Sequence, residues 1–579
     1  MIVTNPFSRG LSRVWSSVFA AALLTQAAGC ASSGSSSDDT APDAAQGGGN
    51  DATIGTTPDS GNDANVATDS GHMSGPDASL GPDASSADGG ATDAAAADAS
   101  DSAVFMPSAL PCDIYGEAGT GCVAAHSTTR ALFAAYSGKL YQVQRASDST
   151  TLDIGTLSPG GYADSAAQDT FCANTTCTIT IIYDQSAQAN NLLISPGGGA
   201  APNMDVGANA AILPALAGGH KVYGVYVSPG TGYRDLTAKG TAVKGEPEGM
   251  YMVTSGKHVN DGCCFDYGNT EQPVADDTGN GHMDAVYFGL RCEHPPCTGD
   301  GPWIAADLEN GLFQGNGSNT NDQPVTYDLV SAMMKDDGQS TFTLKTGNAQ
   351  TGALTTQYSG TLPTGSYSGY IPMSKEGGIV LGVGGDNSNA SAGDFYEGLM
   401  TYGVPSDAAD DAVQANIVSV GYQVATYTAV VPTSETAPQS WKYTTTAPAA
   451  TWSQTSFDDS SWSTGNGGFG TAGTPGAIIG TTWSSSDIWI RQSFSASSIT
   501  AAQLSNLILR LHHDEAVQVY VNGVLATSLT GYWTSYGYVT MPAAAQSAIV
   551  PNGTNELAVH CNNTTGGQYV DVGIYLLSL

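Results

Sequence analysis

Short runs of β-branched and aromatic residues, broken by Gly, Asn, Thr and Pro, recur along most of this chain. Thr178-Ile179-Thr180-Ile181-Ile182-Tyr183 reads as a strand, as do Thr341 to Leu344, Ile379 to Val383, Asn555 to Val559 and Tyr569 to Leu576. Trp303-Ile304-Ala305-Ala306 is an apolar strand, and at a period of two, residues 307 and 309 beyond it are expected to point the same way. Gln518 to Val524 predicts a hairpin, because Asn522-Gly523 suits a tight primed turn. Helical patterns are few. Ser127 to Phe133 is expected to form a short helix capped by Ser127 and stopped at Gly138, with His126 a structural residue at its entry. A second helix begins at Ser406 and carries Val413, Ile417 and Val420 on one face. Many strands and Gly turns with few helices predict an all-β chain of the β-sandwich kind.

At 579 residues the chain is too long for one core, and its composition divides it. Arg9 and Arg13 precede an apolar run, Val14 to Leu24, too short to span a bilayer comfortably. Ala27-Ala28-Gly29-Cys30 follows, the small residues before a cysteine that bacterial lipoprotein processing requires, although Ala27 stands where Leu is usual. Residues 1–30 are therefore expected to be a lipoprotein signal peptide with lipidation at Cys30; an ordinary cleavable signal is the rival. Residues 31–105, rich in Ser, Ala, Asp and Gly and without Lys or Arg, are expected to be a disordered linker, since they offer too little apolar surface to offset chain entropy. A folded region over 110–430, a Pro/Thr linker from Val430 to Ala437 and a C-terminal β-sandwich over 438–579 complete the layout. An exported protein follows, lipid-anchored at the cell envelope or outer surface or released extracellularly, touching membrane only through the lipid. The net charge of −36 disfavours nucleic acid, and a monomer is expected.

Of ten cysteines, Cys30 goes to the lipid and Cys561 is left over, expected to be buried and unpaired. The rest fall into short-range couples: Cys112 with Cys122, Cys172 with Cys177, Cys263 with Cys264, Cys292 with Cys297. Local loop closure favours these pairings, but sequence leaves connectivity open. If Cys263 and Cys264 bond to each other they make a small, rigid, apolar ring, a hard wall for a binding site.

Several long strings are distinctive: Pro111-Cys112-Asp113-Ile114-Tyr115, Ala124-Ala125-His126-Ser127-Thr128-Thr129-Arg130, Asp169-Thr170-Phe171-Cys172-Ala173-Asn174 and Glu246-Pro247-Glu248-Gly249-Met250-Tyr251. With them go Gly262-Cys263-Cys264-Phe265-Asp266-Tyr267-Gly268, Gly301-Pro302-Trp303, Asp307-Leu308-Glu309-Asn310 and Gly384-Gly385-Asp386-Asn387-Ser388-Asn389. In order and in register from about 110 to 427, they resemble the catalytic domain of family 54 glycoside hydrolases, the α-L-arabinofuranosidase B type.

The resemblance implies a jelly-roll or concanavalin-like β-sandwich and retaining, exo-acting removal of terminal α-L-arabinofuranosyl groups. It places the nucleophile at Glu309, the acid/base at Asp386 and a vicinal disulfide at Cys263–Cys264. It makes Cys263, Cys264, Phe265, Asp307, Asn310 and Gly385 substrate-binding residues. No cofactor or metal is implied; the partners are arabinose-containing polysaccharides or oligosaccharides such as arabinoxylan, arabinan and arabinogalactan. The chemistry asks for such a pair: one carboxylate attacks the anomeric carbon, a protonated acid meets the leaving oxygen, and in retaining enzymes the two lie about 5–5.5 Å apart. Two rival readings are a surface lectin that kept the fold and lost turnover, and an exo-glycosidase that also takes β-xylosides.

Other features read more plainly. Asp276 to Gly281 is a turn, since its ligand spacing does not fit an EF-hand. Gly382 and Gly384 mark a strand end and not a nucleotide loop. One departure from the family stands out: its members carry an aromatic residue before Gly-Asp-Gly-Pro-Trp, where this chain has Cys292-Glu293-His294-Pro295-Pro296-Cys297. In the C-terminal region Phe457 to Trp462 and His513 to Val517 resemble galactose-binding-like jelly-roll modules appended to glycosidases, in place of the fungal relatives' β-trefoil. Trp483, Trp489 and Trp533 are candidates for sugar stacking or for core packing.

Overall fold

The computed structural model describes residues 109–294, 297–316 and 322–579. The signal segment, Cys30 and the 31–105 segment lie outside the described residues.

The first sandwich pairs a six-stranded with a ten-stranded antiparallel sheet. The six-stranded sheet runs Cys122–Ser127, Glu397–Tyr402, Glu248–Thr254, Val330–Asp336, Thr341–Asn348, Thr355–Thr361. In the ten-stranded sheet the neighbours Trp303–Asp307, Asp284–Gly289, Asp266–Thr270, Gly378–Leu381 and Tyr233–Asp235 form the half that carries the chemistry. Alternation divides their side chains between two faces. Val286, Phe288, Ile304, Ala306, Ile379 and Leu381 enter the main core with Met250, Met252 and Leu399 of the opposite sheet. Tyr287 and Ala305 face the other way and cluster with Cys263, Cys264 and Leu312; Ala285 and Val380 do so with Met283 and Val383. The strand order thus presents a second, half-covered face, and the candidate residues gather there.

The second sandwich holds two six-stranded sheets around a separate core that includes Trp441, Phe469, Ile490, Leu509, Val559 and Val572. Its hairpin turns at Asn522 and Gly523, with φ of 50° and 83°, as the Asn-Gly pair predicts. Trp483 is buried in this core, Trp489 stacks on His560 with centroids 4.6 Å apart, and Trp533 packs against His513. The chain between the sandwiches differs from expectation: Val430 and Val431, read as linker, belong to strand Thr426–Val431, which pairs antiparallel with Tyr569–Ser578. Tyr226 accepts a hydrogen bond from the Tyr538 backbone at 3.1 Å, and Asn209 donates to Thr540 at 2.7 Å.

The expected helix over 127–133 is absent. Ser127 ends a strand, although its hydroxyl does accept from the backbone N–H groups of Thr129 and Arg130, both at 3.1 Å. The capping chemistry is present without a helix because the following N–H groups have tertiary partners: Thr128 donates to the Tyr396 carbonyl, Ala131 to the Gly161 carbonyl and Leu132 to the Gln185 side chain. Arg130 is drawn inward onto the buried Glu397 by two bonds of 2.5 and 2.7 Å. His126 is structural, buried in its strand, with Nε2 bonded to the Asn190 carbonyl at 2.7 Å and Nδ1 to the Tyr267 hydroxyl at 2.9 Å. Two short helices, Pro111–Glu117 and Ser165–Phe171, were not anticipated; the helix begun at Ser406 runs Asp407–Ser419, with Val413 and Ile417 buried.

Candidate active site

Four of the expected disulfides close: Cys112–Cys122, Cys172–Cys177, Cys263–Cys264 and Cys292–Cys297. Cys561 is buried and unpaired. The Cys263–Cys264 ring lies against Asp307, whose carboxylate and both sulfurs fall within 4.8 Å of one another. Because the sulfurs are bonded to each other they form a wall, with Ser388 Oγ 3.6 Å from Cys263 Sγ. Phe265, expected beside the sugar, has its ring in the main core against Gly393.

Asp307 ends strand Trp303–Asp307 on the same face as Ala305. Beyond it the expected alternation fails. Glu309 and Asn310 have φ of 58° and 56°, so the chain leaves the sheet in a left-handed turn that sets the direction of the Glu309 side chain. Three contacts hold this turn. The Glu309 N–H donates to Asp307 Oδ1 at 3.2 Å, Tyr370 donates its hydroxyl to the Glu309 carbonyl at 3.1 Å, and the Asn310 amide donates to Asp277 Oδ1 at 3.0 Å. The turn Asp276 to Gly281 thereby braces the site, which its spacing alone does not reveal.

Asp386 lies beyond strand Gly378–Leu381, in the run Gly384-Gly385-Asp386 that stretches across the face. Each glycine here makes room for something specific. A Cβ on Gly384 would lie 3.6 Å from Cys264 Sγ, and one on Gly385 would lie 2.3 Å from Glu309 Oε2 and 2.3 Å from Glu271 Oε2. Asp386 follows Gly385 directly, and the Glu309 and Asp386 charges both act on the buried Arg234 guanidinium. Asp386 Oδ1 accepts from the Ser388 N–H at 2.9 Å, and the Asp386 carbonyl accepts from Ala200. Glu309, Asp386 and Asp307 are buried, each 5–6 % exposed.

Two acids and a base that the sequence reading missed complete the site. Glu271, just after strand Asp266–Thr270, is fully buried, accepts the Thr270 hydroxyl at 2.8 Å and crowds Gly385 together with Glu309. Asp266, in that strand, is fully buried, and the charge of Asp307 acts on it. Arg234 is buried beneath them, donating to the Gly384 carbonyl at 2.5 Å and to Thr270 Oγ1 at 3.2 Å. No motif marks these residues; each becomes visible only when sheet neighbours are known. Burial first, then the Glu271 charge, push Glu309 upward, and burial first, then Glu293, push Asp307 up to about 8. Burial first, then Asp307, push Asp266 well up. The site therefore holds protons as well as charge near neutral pH.

The departing loop ahead of Gly299 is less bare than expected. His294 stacks on Phe313 with centroids 4.3 Å apart, and Tyr367 meets both edge-on. This aromatic group adjoins Tyr370, the residue that holds the Glu309 turn, while Pro295 and Pro296 lie outside the described residues. A second acidic group, Glu248, Asp284 and Asp336, surrounds Lys375 Nζ at 3.1, 3.3 and 2.9 Å, so an ammonium already supplies the positive charge there.

Comparison with known proteins places the first sandwich in a family. The family model described as "Alpha-L-arabinofuranosidase B, catalytic" matches residues 111–423. Alpha-L-arabinofuranosidase B of Emericella nidulans is 56 % identical over 324 residues, covering 55 % of this chain and 63 % of its own. The protein of that name from Aspergillus oryzae is 54 % identical over 329 residues, covering 56 % and 64 %. This chain thus spans less than two thirds of the length of these relatives. A crystal structure of an arabinofuranosidase complexed with arabinofuranosyl-alpha-1,2-xylobiose superposes with a TM-score of 0.54 at 50 % identity, covering 59 % of this chain and 70 % of that one. The match spans the first sandwich and includes Cys263, Cys264, Asp307, Glu309 and Asp386, and the chain belongs to the alpha-L-arabinofuranosidase B catalytic family.

Proposed function

We propose that this protein is a retaining, exo-acting α-L-arabinofuranosidase that removes terminal α-L-arabinofuranosyl side chains from plant polysaccharides such as arabinoxylan and arabinan. The observation that carries the reading is the convergence of Glu309 Oε2 on Gly385, next to Asp386, in a chain of this family. The Glu309 carboxylate attacks the anomeric carbon while Asp386 gives its proton to the leaving oxygen. Water, deprotonated by Asp386, then opens the glycosyl ester and frees Glu309. The disulfide wall, Asp307 and Asn310 orient the furanose, and the Gly385 backbone approaches it closely. Arabinofuranosyl-xylobiose, bound by the solved relative, supports side chains on a xylan backbone as one substrate class.

Replacing the nucleophile tests this. Glu309→Gln should lower hydrolysis of an aryl α-L-arabinofuranoside at least about a thousandfold while leaving sugar binding measurable. Parent-like turnover in this variant would remove Glu309 from the mechanism. A parent enzyme that binds arabinosides without hydrolysing them would favour the lectin reading, and comparable rates on aryl β-xylosides the broader exo-glycosidase.

The chain is further proposed to be exported and lipid-anchored at the cell envelope, supported by Ala27-Ala28-Gly29-Cys30 after an apolar run. The relatives named above are fungal. Cys30→Ser should abolish incorporation of labelled fatty acid; labelling that persists would rule out that cysteine.

A further inference from the structure

The run Pro196-Gly197-Gly198-Gly199-Ala200-Ala201-Pro202 carries no reacting group, yet it lies against the backbone of Asp386. It is a bend with joined flanks. The Asp205 N–H donates to the Ser195 carbonyl at 3.0 Å, and inside the bend Gly198 donates to the Ala201 carbonyl at 2.7 Å. The Ala200 N–H donates to the Asp386 carbonyl at 2.9 Å, and a Cβ on Gly198 would lie 2.6 Å from that same oxygen. Glycine lets the two backbones approach this closely. The foot of the bend holds the residues that follow Asp386. Asp205 Oδ1 accepts from the side-chain amides of Asn387 at 3.2 Å and Asn389 at 2.7 Å, and Ser195 donates its hydroxyl to Asn387 Oδ1 at 2.7 Å. Asn387 is fully buried and left-handed, with φ of 65°, and Ser388 after it donates its N–H to the Asp386 carboxyl. Asp205 itself is buried, and its Oδ2 has no hydrogen-bond partner among the described residues. A buried oxygen without a donor costs stability, so packing alone does not account for an acid here.

Resting on the reading of Asp386 as acid/base, we propose that Asp205 is a positioning residue: through Asn387 and Asn389 it clamps the turn after Asp386 and so fixes where the proton donor stands relative to the leaving oxygen. The two ends of the turn have separate anchors. Arg234 donates to the Gly384 carbonyl on the near side, and the Cys264 N–H donates to the Ser388 carbonyl at 3.2 Å from the disulfide side. Asp205 grips the far side, where two amides converge on one of its oxygens. Asp386 lies between these anchors, so its carboxyl moves with the turn. Asp205 takes no part in the proton transfer and acts only through the backbone that carries Asp386.

Replacements on both sides of the clamp separate this role from packing. Asp205→Asn keeps an oxygen acceptor for the two amides, Asp205→Ala removes it, and Asn389→Ala removes one donor. A sugar leaving group needs protonation and a nitrophenolate hardly does, so two substrates together report on the proton donor itself. In the full chain, Asp205→Ala should lower kcat/KM on an arabinosyl oligosaccharide by about 10- to 100-fold and on a nitrophenyl α-L-arabinofuranoside by no more than about threefold. Asn389→Ala should show the same imbalance to a smaller degree, and it carries the test alone if thermal melts show that Asp205→Ala does not fold. Asp205→Asn should stay within about threefold of the parent on both substrates, because its side-chain oxygen still accepts. Equal losses on the two substrates would overturn the proposal, as would an undiminished rate on the oligosaccharide or an Asn variant as impaired as the Ala variant. Asp386→Ala run alongside keeps the levels apart. If that variant shows no imbalance between the substrates, the acid/base assignment fails and the proposal with it; if it does and the Asp205 and Asn389 variants do not, only the clamp fails.

Discussion

Asp386, the proposed proton donor, is a buried acid whose carboxyl accepts the backbone N–H of Ser388. A group that protonates the leaving oxygen matters most when that oxygen leaves poorly. Asp386→Ala should therefore lower kcat/KM by about 10² to 10⁴ on an arabinosyl oligosaccharide and far less on a nitrophenyl arabinoside. Equal losses on both substrates would show that Asp386 does something other than donate a proton. Residue identity was the part of this site most open to reading. Glu309, Asp386, Asp307 and the two cysteines sit in strings unusual enough to be recognised. Glu271, Asp266 and Arg234 were illegible because each acts through a neighbour across the sheet, and sequence distance says nothing of that.

At the scale of elements, the site is a meeting of three strand ends. Strand Trp303–Asp307 delivers Asp307 and then releases the chain into the left-handed turn of Glu309 and Asn310. Strand Gly378–Leu381 releases Gly384 to Asp386. Strand Asp266–Thr270 lies between them in the sheet order, one strand removed from the first and adjacent to the second, and contributes Glu271. Gly385 is where these pieces touch. Gly385→Ala places a methyl 2.3 Å from both Glu271 Oε2 and Glu309 Oε2, so one of them must move. Since a displacement of about 1 Å at a reacting group can cost about 10²-fold, kcat/KM should fall by that order with the fold intact, as near-ultraviolet circular dichroism would register. Strands and the Asn522-Gly523 hairpin were readable from alternation and turn chemistry. The expected helix over 127–133 was not a helix because its N–H groups found partners on three other segments. The strand ends at Asp307, so a left-handed turn and not strand alternation sets the direction of Glu309.

Across the whole molecule, the strand Thr426–Val431 completes a sheet of the second sandwich, so the chain passes between the two cores without a free linker at that point. Burial of unpaired acid is the other molecular-scale feature. Asp322 is fully buried, both its carboxyl oxygens lack a hydrogen-bond partner among the described residues, and burial pushes it up to about 8. Its unfolded value is about 3.9, so between about pH 4 and pH 8 the folded chain binds more proton than the unfolded one, and stability falls as pH rises through that window. Asp322→Asn should flatten that decline: the drop in melting temperature from about pH 5 to about pH 8 should be smaller than in the parent. An unchanged slope would mean that Asp322 ionises no differently in the folded state.

The sequence alone determined the class of fold and singled out the candidate reacting groups. Alternation, turn residues and distinctive strings are local properties, and local chemistry is written in consecutive residues. Tertiary structure decided the direction of Glu309, the burial of Phe265 in the core, the carboxyl pairs and the strand that joins the two sandwiches. Those depend on which segments lie side by side in a sheet, and residues as far apart in the chain as Arg234, Glu271, Glu309 and Gly385 become neighbours only once the whole sheet has formed.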